Sequence, residues 1–206
     1  MKQMKMRTAL IDSTIRVIAQ DGLDRATTKA IATAAGVNEA YIYRLFDGKE
    51  DLLKNAFMDC NELLVAECSR SLLENEHLMP DIDAIYRNGF RRCWNMLLCS
   101  REKCLFYVRY YYSPYFQKYA QKDYQQSYDR LIAEIQRFFP AWVDVADLIH
   151  HALDIALCYA VKVFYGEMEA DERLFERVYQ LSKGWLDTYK SEEKQEVIQV
   201  CKSPIQ

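Results

Sequence analysis

The stretch "AGVNEAYIYRLF", residues 35–46, decides how the chain is read. A glycine and a capping residue interrupt what is otherwise amphipathic helix. Ala32, Gly36 and Ile42 stand at the spacing of two short helices that cross steeply through a tight turn. Ala32 is small where the second helix packs across it. Gly36 leaves the first helix in the left-handed region, which glycine adopts without steric cost. Val37 and Ile42 fill the wedge. Asn38 can accept from the orphan amides that open the second helix. The pattern predicts a helix-turn-helix unit.

Outward from this unit the chain reads as helix after helix. Six glycines and four prolines in 206 residues are few for a strand-and-turn protein. Helix one is expected over about Lys5–Gln20, with Leu10, Thr14, Val17 and Ile18 at helical spacing. Thr27 or Thr28 caps a short helix, Lys29–Ala35, and Glu39–Phe46 follows it. A long helix begins near Lys49, with Leu53, Phe57 and Leu64 inside. His77–Pro80 reads as a loop. A helix over about Ile82–Cys99 carries the stripe Ile85/Tyr86, Phe90, Cys93/Trp94 and Leu97. Ser100 is the expected cap of the next helix, through about Tyr111. Ser113 and Pro114 are expected to open one running to Phe139. Two more are expected, about Val143–Tyr165 and Asp171–Tyr189, the last with Leu174, Val178, Leu181 and Trp185 on its apolar edge. The fold class is all-α, about nine helices. A three-helix head spans 1–48, a larger helical body 49–190, and a frayed tail 191–206.

Charge divides along the same line. Residues 1–50 carry eight Lys/Arg and six Asp/Glu, while the remainder carries 19 and 24, for a net charge of −3. A mildly basic head on an acidic body fits a small nucleic-acid module joined to a domain with another task. Seven cysteines, an odd number with no C-x-x-C pair, argue against a disulfide framework and a zinc ribbon. The N-terminus lacks the apolar core of a signal peptide, and no run reaches membrane-spanning length. A reducing cytoplasm is the expected compartment, with no membrane partner.

The second helix of the unit turns Ile42, Leu45 and Phe46 inward. Glu39, Ala40, Tyr41, Tyr43 and Arg44 then face out, a combination suited to a major groove. Arg44 can fork onto a guanine edge and Tyr43 can reach a phosphate. Lys49 stands where a helix start adds its free N–H groups. Thr27, Thr28 and Lys29 can meet the phosphate backbone.

"DRATTKAIATAAGVNEAYIYRLFDGKEDLL", residues 24–53, resembles the DNA-binding signature of the TetR family. The likeness rests on threonine caps, an I-A-x-x-A-G-V core, an I-Y-x-x-F recognition helix and K-E-x-L-L. It covers roughly the first quarter of the chain. By position it implies Tyr43 and Lys49 as phosphate contacts, Thr27 or Thr28 as the helix-two cap, and Glu39–Phe46 as the recognition helix. Tyr41 departs from the small or hydroxyl residue common there, and Glu39 from a basic or polar one. The resemblance further implies a homodimeric repressor on a palindromic double-stranded operator, released by a small-molecule effector. The last two helices would pair with their symmetry mates.

Elsewhere the sequence offers alternatives. "CLFYVRYYYSPYF", residues 104–116, is strongly aromatic. Tyr107, Tyr110 and Tyr111, with Phe90, Trp94 and Phe106, can line an effector cavity or form a closed core. Cys93, Cys99 and Cys104, near Arg92 and Arg101, can sense oxidants, which would make thiol oxidation, or a protein partner, the control in place of a ligand. His150, His151 and Asp154 lie on neighbouring turns but lack further metal ligands. No catalytic motif, metal or cofactor site is read, and an enzyme is not expected.

Overall fold

The structure, a computed structural model, describes residues 2–75, 82–137, 139, 141, 143–184 and 187. Among these it shows nine α-helices and no strand, as the all-α reading expects. The helices are α1 (Lys2–Asp21), α2 (Thr28–Ala34), α3 (Ala40–Leu45), α4 (Lys49–Asn75), α5 (Ile82–Cys99), α6 (Arg101–Tyr111), α7 (Gln121–Gln136), α8 (Val145–Phe164) and α9, residues 172–184. The expected loop at His77–Pro80, and Trp185 and the tail, lie outside the described residues.

The turn after α2 closes as its sequence predicts. The Val37 amide donates to the Ala32 carbonyl at 3.0 Å and the Gly36 amide to the Thr33 carbonyl at 3.1 Å. These are the paired bonds of a Schellman motif, with Gly36 at φ +66°. A Cβ at residue 36 would meet nothing within 4 Å. Glycine is needed there for backbone conformation, not for room. Gly36→Ala is therefore expected to cost about 1–2 kcal/mol of stability, and Gly36→Asn less, because asparagine tolerates this region. Denaturant titration checks it, and equal losses in both variants would refute the backbone explanation.

α4 is the axis of the molecule. Leu52, Leu53, Ala56 and Phe57 are each at 0 % exposure. The Phe57 ring lies 4.8 Å from Tyr107, 4.9 Å from Tyr110, 5.4 Å from Phe116 and 6.2 Å from Tyr124, centroid to centroid. α1 packs against both α4 and α6. The buried side chains of α1–α3 therefore join those of the later helices in one apolar cluster.

Several local expectations are corrected. Ser100 occupies the N-cap position of α6, but its side chain makes no capping bond. Ser113 likewise turns back, its hydroxyl donating to the Tyr110 carbonyl at 2.6 Å. The helix expected from Pro114 to Phe139 is broken by a π turn, Phe116–Ala120, and α7 ends at Gln136. That turn brings Phe116, Ala120, Tyr124 and Tyr128 onto one buried line. Leu181 stands outside, 47 % exposed, while Leu174, Phe175, Val178, Tyr179 and Ser182 form the inner face of α9. Asp171 caps that helix by accepting from the Leu174 amide at 2.7 Å. Among the described residues no helix is long and apolar enough to cross a membrane.

Candidate nucleic-acid interface

The head is built to hold a short helix outward. Thr27 is the N-cap of α2, its hydroxyl accepting from the Ala30 amide at 3.1 Å. Thr28 does something else: its hydroxyl donates to the Glu39 carboxylate, tying the start of α2 to the start of α3. Glu39 is thus engaged inside the unit, and it makes no capping bond of its own. The cap is Asn38, whose Oδ1 accepts from the Ala40 amide at 2.8 Å. α3 begins at Ala40 and ends at Leu45, one residue inside the expected span at each end.

Ile42 is fully buried beneath α3, and Phe46 is at 5 % exposure. Leu45 and Tyr41 are half-buried against the same core. On the opposite side Tyr43 is 63 % exposed, and Ala40 and Arg44 are also exposed. A phenol ring held in water on a helix whose other face is buried has no packing role. Lys29 is exposed on α2, and Lys49 is half-buried at the first residue of α4. The structure therefore keeps Tyr43 and Arg44 on one free face, with Thr27 and Lys29 at the neighbouring helix start. It turns Tyr41, and the engaged Glu39, partly inward.

Two arginines without a periodic signature fix this head. Arg7 donates to Asn55 Oδ1 at 2.6 Å, with its guanidinium 5.4 Å from the centre of the Phe46 ring. It joins α1, the end of α3 and α4. Arg109, in the last turn of α6, donates to the Ile18 carbonyl near the end of α1. A cation there also complements the negative end of the helix dipole.

The body holds a cavity with about 770 Å³ of empty space, part of it open to solvent. Leu64 and Cys68 of α4, Tyr86, Phe90 and Cys93 of α5, Tyr128 of α7 and Leu148, Ala152 and Leu153 of α8 contribute to its wall. Among the described residues its lining carries no charged side chain. Of the six residues read as cavity candidates, Phe90 lines this space and Tyr107 a second one of about 530 Å³. Trp94, Phe106 and Tyr110 are closed into the core, and Tyr111 stacks on Tyr107 with ring centroids 6.0 Å apart. The Tyr107 hydroxyl donates to buried Asn61 at 3.1 Å, and burial holds it well above the usual tyrosine range. The contribution of α8 to the cavity was missed. Its row at 148, 149, 152, 153 and 156 was visible, but the resemblance assigns this helix to dimer pairing.

The structure gives Cys93 a thiol neighbour outside the expected group, Cys68. Arg92 pairs with Glu67 at 2.7 Å. Cys93 is held well above its usual range by a hydrogen bond with Cys68 and by burial, and burial pushes Cys104 up to about 12. His150 lies against the Tyr128 and Tyr124 rings, at 5.3 and 6.0 Å. Asp154 accepts from the Tyr112 hydroxyl at 3.2 Å.

Comparison with known proteins places this geometry. Residues 10–56 match the model of bacterial regulatory proteins of the tetR family. A TetR family transcription regulator from Marinobacter aquaeolei VT8 is similar over 90 % of this chain and 98 % of its own, at 18 % identity and a TM-score of 0.73. The fatty acid degradation regulator FadR from Bacillus halodurans follows over 87 % and 95 %, at 20 % identity and 0.66. FadR from Bacillus subtilis, solved in complex with stearoyl-CoA, gives 87 % and 95 %, 18 % identity and 0.60. No curated protein sequence matches the chain.

Proposed function

We propose that this chain, whose N-terminal segment and fold are those of TetR-family transcription regulators, is a homodimeric repressor that binds a palindromic operator and releases it on binding a small apolar effector. The observation that carries the DNA reading is the solvent-facing pair Tyr43 and Arg44 on a short helix anchored from behind by Ile42. Two such helices related by a two-fold enter successive major grooves about 34–36 Å apart. Arg44 reads a base edge. Tyr43, Lys49, Thr27, Thr28 and Lys29 hold phosphates, and Asn38, Glu39, Ala40 and Tyr41 lie along the same approach. The head is residues 1–48 and the effector and dimerisation body 49–190, with α8 and α9 pairing across the two-fold.

The uncharged cavity wall supports an apolar effector, and the stearoyl-CoA bound to one structural neighbour makes long-chain acyl thioesters the first class to try. Release follows from differential affinity: the effector must bind the released state more tightly than the bound one. α4 lines the cavity with Leu64 and Cys68 and begins at Lys49 beside α3, so a tilt of α4 moves the heads.

Arg44→Ala is expected to weaken binding by about 1–3 kcal/mol and to relax selectivity at one operator position. Tyr43→Phe weakens all sequences alike. Fluorescence anisotropy over a randomised operator set at fixed salt separates the two, since phosphate contacts are salt-dependent. Uniform loss in the Arg44 variant would remove it from base reading, and no selective duplex binding by the wild type would defeat the proposal.

A further inference from the structure

The search of the body returns to two thiols on facing helices. Cys68 of α4 and Cys93 of α5 bring their sulfurs to 2.9 Å. Both residues line the apolar cavity shared by α4, α5, α7 and α8. Their preceding residues, Glu67 and Arg92, form the ion pair described above, with Arg70 adding a second bond to Glu67 at 2.9 Å. The ion pair fixes the register of α4 against α5 directly beside the sulfurs.

We propose that Cys68 and Cys93 form a dithiol site in the cavity wall that an organic hydroperoxide oxidises to a disulfide linking α4 to α5. The apolar lining accepts the hydrocarbon part of the oxidant and presents its O–O bond to sulfur. Cys93 keeps its proton in hydrogen-bond contact with Cys68, which makes Cys68 the nucleophile and Cys93 the resolving thiol. The Cys68 sulfur, giving up its proton, attacks the terminal oxygen. The O–O bond breaks, the alkoxide takes that proton and leaves as the alcohol, and Cys68 becomes a sulfenic acid. Cys93 sulfur then attacks Cys68 sulfur. The S–S bond forms, the S–O bond breaks, and hydroxide leaves with the Cys93 proton as water. One hydroperoxide and two thiols give one disulfide, one alcohol and one water. The disulfide also restrains α4, so its effect on operator binding rests on the proposed function, whereas the chemistry does not.

The test uses the full chain with cumene hydroperoxide, then with hydrogen peroxide at equal concentration. Remaining thiols are alkylated, and unreduced peptides are read by mass spectrometry. The expected result is loss of two of the seven thiols and a cross-linked peptide pair containing Cys68 and Cys93. The reaction should run about tenfold or more faster with the organic oxidant, from burial of its ring. Cys93→Ser should stop at a Cys68 sulfenic acid trapped by dimedone, and Cys68→Ser should leave Cys93 reduced. Disulfides elsewhere, both thiols alkylated as before, or equal rates with the two oxidants would overturn the proposal. A disulfide that forms without changing DNA affinity keeps the site and removes its link to the operator.

Discussion

Phe57→Ala lowers the free energy of unfolding by about 3–5 kcal/mol, the range for deleting a large aromatic from a closed core. The side chain is at 0 % exposure and is ringed by Tyr107, Tyr110, Phe116 and Tyr124. Those four rings come from α6, the π turn and α7, so removing Phe57 leaves a void that no single helix can close by shifting. The remaining tyrosines resist collapse into it, because the Tyr107 hydroxyl is held by Asn61, which in turn donates to Ser127 at 2.8 Å. Urea titration followed by circular dichroism reads the loss. Phe57→Leu should cost much less, since it keeps most of the volume. A loss below about 1.5 kcal/mol in the alanine variant would mean that the rings repack freely, and the picture of α4 as a packed axis would fail.

Ile42→Ala is expected to cost about 2–5 kcal/mol, and Ile42→Val about 0.5–1.5 kcal/mol. α3 is six residues long and too short to persist without its buried face. Ile42 supplies its one fully buried side chain, and Leu45 is only half-buried. The loss should appear first as faster amide exchange in α2 and α3. Operator affinity should fall with it, even where circular dichroism still reports a folded body. Unchanged exchange in α3, with affinity lost, would mean that Ile42 acts on DNA in some way other than anchoring.

How far the sequence could be read follows the range of the interactions. The α2–α3 turn was legible because Ala32, Thr33, Gly36, Val37 and Asn38 make their decisive bonds among themselves. The start of α4 was legible for the same reason, with the Asp47 amide donating to Asp51 Oδ2 at 3.1 Å. The π turn was not, since Pro114 announces a helix start but not the extra residue that Phe116–Ala120 absorbs to bury Tyr124 and Tyr128. Leu181 was placed by periodicity inside α9, but the packing partners of α9 on α5, Tyr86 and Phe90, select the Phe175–Tyr179 side instead. Of the head's outward residues, Tyr43 and Arg44 were readable from helical phase. The Thr28–Glu39 bond joins two helices and left no periodic trace. Aromatic content marked where volume is filled, at Trp94, Phe106 and Tyr110, rather than the open space that Phe90 and residues of α8 line.

The Arg109 grip on the Ile18 carbonyl bears on how separable the first three helices are from the rest of the chain. Cutting the chain after residue 48 and grafting the fragment onto an unrelated sensor would strip α1 of its clasp on α6 and bare the side of α1 that α4 covers. A stable graft has to import the α6 surface along with the first three helices, so the two parts of this chain are inherited together.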